Sequence, residues 1–72
     1  MALYHPAAFS PDGRQIATGE KDSSVVWDAD SLGELRRLPG HNGDVTSVKF
    51  TTDGNRLLTA STDGTVRLWD LG

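Results

Sequence analysis

One stretch of this chain is written twice. Phe9-Ser10-Pro11-Asp12-Gly13-Arg14-Gln15-Ile16-Ala17-Thr18-Gly19 aligns with Phe50-Thr51-Thr52-Asp53-Gly54-Asn55-Arg56-Leu57-Leu58-Thr59-Ala60, an advance of 41 residues from Phe9 to Phe50. The match continues downstream, where Asp22-Ser23-Ser24-Val25 answers Asp63-Gly64-Thr65-Val66 and Trp27-Asp28 answers Trp69-Asp70. A period of roughly 40–45 residues marks one supersecondary unit that cannot cover its own hydrophobic faces and relies on stacked neighbours. The chain is therefore expected to be two like units in series.

Each unit reads as strand and turn. Val45, Val48 and Phe50 lie in a β-rich run that stops at Thr52-Asp53-Gly54. Arg56 to Ser61 forms a second run, turned by Thr62-Asp63-Gly64, and Thr65-Val66-Arg67-Leu68-Trp69 forms a third. Asp-Gly between such runs signals a tight hairpin, because glycine takes positive φ without strain. Gly33 to Leu38 supplies a further short strand, ended by Pro39-Gly40. Breakers recur too often for a helical apolar period to survive.

Taken together, Gly40-His41, Phe50 with Asp53-Gly54, Leu57-Leu58-Thr59-Ala60-Ser61 and Asp63-Gly64-Thr65-Val66-Arg67-Leu68-Trp69-Asp70 resemble a complete WD-repeat unit. Phe9-Ser10-Pro11-Asp12-Gly13 with Trp27-Asp28 resembles the preceding unit. The resemblance implies an all-β fold of two antiparallel propeller blades, with strands a to d running from the inside outward. Blade one would occupy residues 1–38, with a at about 3–9, b at 15–20, c at 24–28 and d at 34–38. Blade two would occupy residues 39–72, with a at 45–50, b at 56–61, c at 65–69 and no outer strand. Starting within an innermost strand and stopping after a third, the chain looks like a fragment or like one protomer of a strand-exchanging assembly. Closure takes four to eight blades, so at least two copies, with three or four favoured, or the remainder of a longer propeller, are expected to complete a ring.

His41, Thr59, Asp63 and Trp69 match the family's structural tetrad, a buried hydrogen-bond chain that satisfies polar groups and fixes strand register. Histidine, hydroxyl and carboxylate also invite a hydrolase reading, with Thr59 or Ser61 activated by His41 and Asp63. No glycine-rich elbow or oxyanion element accompanies them, so the structural reading is preferred and no enzyme is expected. Blade one keeps Thr18, Asp22 and Trp27, while the position matching His41 falls ahead of Met1. From Asp22 to Trp27 is also one residue shorter than from Asp63 to Trp69. Either the b–c turn of blade one is shorter, or Trp27 turns away from its partners, since one missing residue flips a strand's faces. Pro6, lacking a ladder donor, suits an edge strand lining the channel. Asp28-Ala29-Asp30-Ser31-Leu32-Gly33 opens like a calcium loop, but Leu32 and Pro39 stand where ligands are needed.

Partners in this family dock on the loops joining d to a and b to c, which implies Asp44, Thr46, Thr62 and Lys21 as the partner-binding face. The unpaired edge of the last strand, beside Val66, Leu68 and Trp69, is expected to drive self-association, into a closed ring or an open polymer. The expected function is a protein-interaction scaffold without catalysis or cofactor; a purely structural self-assembler is the alternative. A formal net charge of −3 with dispersed basic residues argues against a nucleic-acid surface. No cysteine is available for disulfide or thiolate metal sites. No apolar stretch approaches the roughly 20 residues of a bilayer span, and no signal peptide is visible, so a cytoplasmic or otherwise intracellular location is expected.

Overall fold

In the computed structural model, which describes residues 6–71, the chain forms seven strands: β1 (Ala7–Phe9), β2 (Gln15–Gly19), β3 (Ser23–Asp28), β4 (Glu34–Pro39), β5 (Val45–Phe50), β6 (Arg56–Ser61) and β7 (Val66–Asp70). They build two antiparallel sheets, one ordered β1-β2-β3-β4 and the other β5-β6-β7. Residues 3–5, placed by the sequence in the first strand, lie outside the described residues. Pro6 does not sit inside that strand; it precedes β1, where it has no ladder donor to lose, and its carbonyl accepts the Gly19 N–H at 2.9 Å.

The repeated Asp-Gly sequences fold into the same turn twice. Asp12 Oδ1 accepts the Ser10 hydroxyl at 2.6 Å and the Arg14 N–H at 2.9 Å. Asp53 Oδ1 accepts the Thr51 hydroxyl at 2.7 Å and the Asn55 N–H at 2.9 Å. The following glycines adopt φ of 73° and 76°, which L side chains rarely tolerate. These hydrogen bonds hold both Asp12 and Asp53 below the usual carboxylate range, led by the Ser10 hydroxyl in one turn and the Asn55 N–H in the other.

The missing residue of the first unit falls in its b–c turn. Glu20 N–H bonds Ser23 O at 2.8 Å across two residues, whereas Ser61 N–H bonds Thr65 O at 3.1 Å across three. The register then pairs Thr18 with Val25 and Thr59 with Arg67, so Val25 stands in the place of Arg67. That corrects the sequence alignment of Val25 with Val66: a gap inside the turn leaves both flanking strands in phase, and no side chain changes face.

Cross-strand partners share a face, which identifies what packs between the sheets. Ala8, Ala17 and Val26 form one row of the first sheet; Phe50, Leu57 and Trp69 form one row of the second. Ala17, Val26 and Leu38 join Val45, Val48, Phe50 and Leu57 in a single core, with Ala8, Trp69 and Leu71 packed against it. Burying these apolar groups is the main force joining the sheets. Gly19 leaves no room for a side chain, since an added Cβ would lie 2.6 Å from Pro6 Cγ and 2.8 Å from Val45 Cγ1. Backbone bonds bridge the same seam: Val45 N–H to Glu20 O at 2.9 Å, and His41 N–H to Asp22 O at 3.3 Å.

Candidate functional site

Thr59 lies on β6 and Trp69 on β7, His41 on the loop between the sheets, and Asp63 in the turn joining β6 to β7. Thr59 is wholly buried and His41 is 3% exposed. The Trp69 indole N–H donates to Thr59 Oγ1 at 3.0 Å, and that oxygen lies 2.8 Å from His41 Nε2. On the other side of the ring, Nδ1 is 3.0 Å from Thr65 Oγ1 and 3.6 Å from Asp63 Oδ2. Thr65 donates its hydroxyl to Asp63 Oδ1 at 2.5 Å.

Only one proton arrangement satisfies every member. Thr59 Oγ1 takes the indole proton, so its own proton goes to Nε2, since a buried hydroxyl without an acceptor is costly. Nδ1 then carries the ring proton and gives it to Thr65, whose hydroxyl points on to Asp63. The chain runs in one direction from Trp69 through Thr59, His41 and Thr65 to Asp63. Asp63 is held well below the ordinary carboxylate range, chiefly by the Thr65 hydroxyl, then by the Asn42 N–H at 2.8 Å and the Thr65 N–H. Protonated His41 would add to the same effect.

Thr65 was not among the residues singled out from the sequence. Its signal was a hydroxyl two positions after Asp63, in a turn that brings it back beneath the carboxylate. Ser61, the other candidate nucleophile, accepts the Asp63 N–H at 3.2 Å. Thr59 has no exposed surface on which a substrate carbonyl could be attacked.

In the first sheet, Trp27 reaches Thr18 at 2.9 Å, repeating the Trp69–Thr59 bond. Asp22 joins differently from Asp63, through its carbonyl, which receives the Gly40 and His41 N–H groups at 3.4 and 3.3 Å. Lys21 and Asp44 border one shallow depression of about 270 Å³ with Asp22, His41, Asn42 and Gly43. Thr62 lies alongside, its hydroxyl accepting the Asp44 N–H at 3.0 Å. Thr46 stands apart, at the β5 irregularity, with its hydroxyl 3.4 Å from Ala60 O. Along β7, the edge strand of its sheet, Val66 and Leu68 are exposed while Trp69 faces the other way. Alternation turns its side chain to the inner face, where its indole is held by Thr59. Asp28 takes the turn N–H groups of Asp30 and Ser31 at 2.8 and 3.0 Å.

Two repeats of antiparallel strands stacked face to face, with a Trp–Thr bond in each, define the chain as part of a β-propeller. It belongs to the family described as WD domain, G-beta repeat, whose model matches residues 7–28 and 32–70. A solved relative, the β-propeller domain of Cps50 (Swd1) from Myceliophteria thermophila, superimposes with a TM-score of 0.88 at 34% identity, covering 99% of this chain and 24% of that one. Pre-mRNA-processing factor 19 homolog 2 of Arabidopsis thaliana is 46% identical over 69 residues, spanning 94% of this chain and 13% of the relative. COMPASS component SWD3 of Saccharomyces cerevisiae is 42% identical over 67 residues, 93% of this chain and 21% of the relative. The chain thus spans a small part of the length of the curated relatives it matches. Among the described residues, no helix is long and apolar enough to cross a membrane.

Proposed function

We propose that this chain is a protein-interaction module, in which the His41–Asp63 network is structural and the loops above it meet the partner. The observation that carries this is the division of labour at one end of the sheets. The potentially reactive Thr59 hydroxyl is wholly buried and already bonded to Trp69 and His41, while Lys21 and Asp44 stand exposed around the depression. A cation and an anion side by side on a loop rim suit a polar peptide segment, bound by charge and shape complementarity with no bond made or broken. Two of the relatives are named for pre-mRNA processing and for the COMPASS assembly, which supports an intracellular protein partner. Dispersed basic residues and a net charge of −3 favour protein over nucleic acid.

Self-association is the second element of the proposal. Two blades fall short of the four to eight that close a ring, so at least two copies, with three or four favoured, or the remainder of a longer propeller, would complete it. The test of partner binding is selection from a displayed random-peptide library, followed by titration of the selected peptide. Lys21→Glu and Asp44→Lys are expected to weaken that peptide at least tenfold with the unfolding midpoint unchanged. A selected peptide indifferent to both substitutions contradicts the loop-rim reading.

A further inference from the structure

Four asparagine or aspartate residues are followed by glycine: Asp12-Gly13, Asn42-Gly43, Asp53-Gly54 and Asp63-Gly64. Such pairs are chemically labile, because a glycine without Cβ lets its nitrogen approach the preceding side-chain carbonyl carbon. In the three Asp-Gly turns that nitrogen is tied down. Gly13, Gly54 and Gly64 donate to the carbonyls of Ser10, Thr51 and Ser61 at 2.9, 2.9 and 3.1 Å. Their carboxylates are held as well, by Ser10 and Arg14, by Thr51 and Asn55, and by Asn42 and Thr65. Asn42-Gly43, on the loop between β4 and β5, is different. Around it, the His41, Asn42, Asp44 and Val45 N–H groups reach Asp22 O, Asp63 Oδ2, Thr62 Oγ1 and Glu20 O at 3.3, 2.8, 3.0 and 2.9 Å. Among the described residues, neither the Gly43 N–H nor the exposed Asn42 side-chain amide has a hydrogen-bond partner. Packing demands glycine here, since an added Cβ would run into the Thr62 hydroxyl and lie 3.1 Å from Asp63 N.

We propose that Asn42 is a site of spontaneous deamidation, closed into a cyclic imide by the free Gly43 nitrogen, and that the reaction loosens the loop holding Asp63. The Gly43 nitrogen gives its proton to solvent and attacks Asn42 Cγ. A new C–N bond forms, and the bond to the side-chain nitrogen breaks, releasing ammonia with a proton taken back from solvent. Water then adds to one imide carbonyl and breaks its bond to the Gly43 nitrogen. Opening at Cγ gives aspartate; opening at the main-chain carbonyl gives isoaspartate, with the main chain rerouted through the side chain. Isoaspartate lengthens the backbone by one methylene between the Asn42 N–H, which holds Asp63, and Gly43, which has no slack against Thr62. Either product adds a negative charge to a loop that already carries Asp44 and binds the Asp63 carboxylate. The reaction is independent of the partner proposed above, although Asn42 borders the same depression.

The experiment ages the unaltered chain in neutral buffer, folded and in urea, and follows each pair by peptide mapping with fragmentation that resolves isoaspartate. In the folded chain Asn42 is expected to react at close to its rate in urea. The three Asp-Gly pairs are expected to isomerise at least tenfold more slowly folded than in urea, because their glycine nitrogens are bonded. Asn55 is expected to stay intact in the folded chain, since the Arg56 N–H that would attack it is held by Thr51 Oγ1 at 3.2 Å. An Asn42 that keeps its amide in the folded chain, whether or not it reacts in urea, overturns the proposal. Asp-Gly pairs that react equally in both states overturn the protection argument behind it. Asn42→Gln retains the backbone N–H to Asp63 and an exposed amide but disfavours imide closure. Ageing is expected to lower the thermal midpoint of the unaltered chain and to leave that of Asn42→Gln in place. An equal decline in both would overturn the link between Asn42 and the hold on Asp63.

Discussion

Thr59 receives the indole proton of Trp69 at 3.0 Å and passes its own to His41 at 2.8 Å, so one buried hydroxyl joins the outermost strand of its sheet to the loop between sheets. In the first sheet, Thr18 receives the Trp27 indole N–H at 2.9 Å, its one side-chain bond among the described residues. The two hydroxyls therefore differ in what their removal leaves behind. Thr59→Val strands an indole donor and an imidazole acceptor in a site without water access, and is expected to cost about 2–4 kcal/mol. Thr18→Val strands one half-buried indole, and is expected to cost about 1 kcal/mol. Urea unfolding followed by tryptophan fluorescence compares them; equal costs would contradict the one-directional chain.

Acid should weaken the fold through Asp63. Its carboxyl is depressed below the unfolded value of 3.8, first by the Thr65 hydroxyl and then by the Asn42 N–H. A group depressed in the folded state contributes stability that is present above its unfolded pKa and lost as pH falls through the folded one. Stability should therefore decline below about pH 5 and keep declining through the acid range. Asp63→Asn is expected to lower the thermal midpoint at pH 7 and to flatten its dependence between pH 5 and 3. An unchanged slope would contradict the role given to Asp63.

Gly19 on β2 packs against Val45 of the second sheet with no room for a side chain. An added methyl would meet Pro6 Cγ and Val45 Cγ1 at 2.6 and 2.8 Å. Gly19→Ala is expected to destabilise by about 1–3 kcal/mol through overpacking, although alanine already stands at the matching Ala60. Chemical unfolding measures it, and a neutral substitution would mean that the sheets are not packed this closely.

Leu32 holds φ at 60°, a conformation that leucine adopts at a cost, while its side chain is 66% exposed. Leu32→Asn should relieve that strain without loss of core, raising stability by about 0.5–1 kcal/mol. A fall in the unfolding midpoint would contradict the left-handed geometry of the β3–β4 turn.

The repeat made most of the architecture readable beforehand. Six of the seven strands begin and end within about a residue of their places in the sequence reading, because Asp-Gly and Pro-Gly mark where ladders stop. The offset around Asp22 was harder. Sequence alone registers a missing residue but not whether a turn or a strand absorbs it; hydrogen bonding decided that, by closing Glu20 on Ser23. Thr65 escaped notice for a related reason. Its part depends on the turn folding back so that its hydroxyl sits between a ring nitrogen and a carboxylate, and residue type alone does not encode that path. Trp69 belongs both to the edge strand and to the buried network, because its backbone lies at the edge while alternation sends its side chain inward.

The measurement that bears most directly on the structural role of the polar network is the urea unfolding of His41→Ala beside the unaltered chain. The account predicts a loss of about 3 kcal/mol or outright unfolding, because Thr59 and Thr65 lose the ring that connects them. An unchanged midpoint would contradict it and return His41 and Asp63 to consideration as chemical groups.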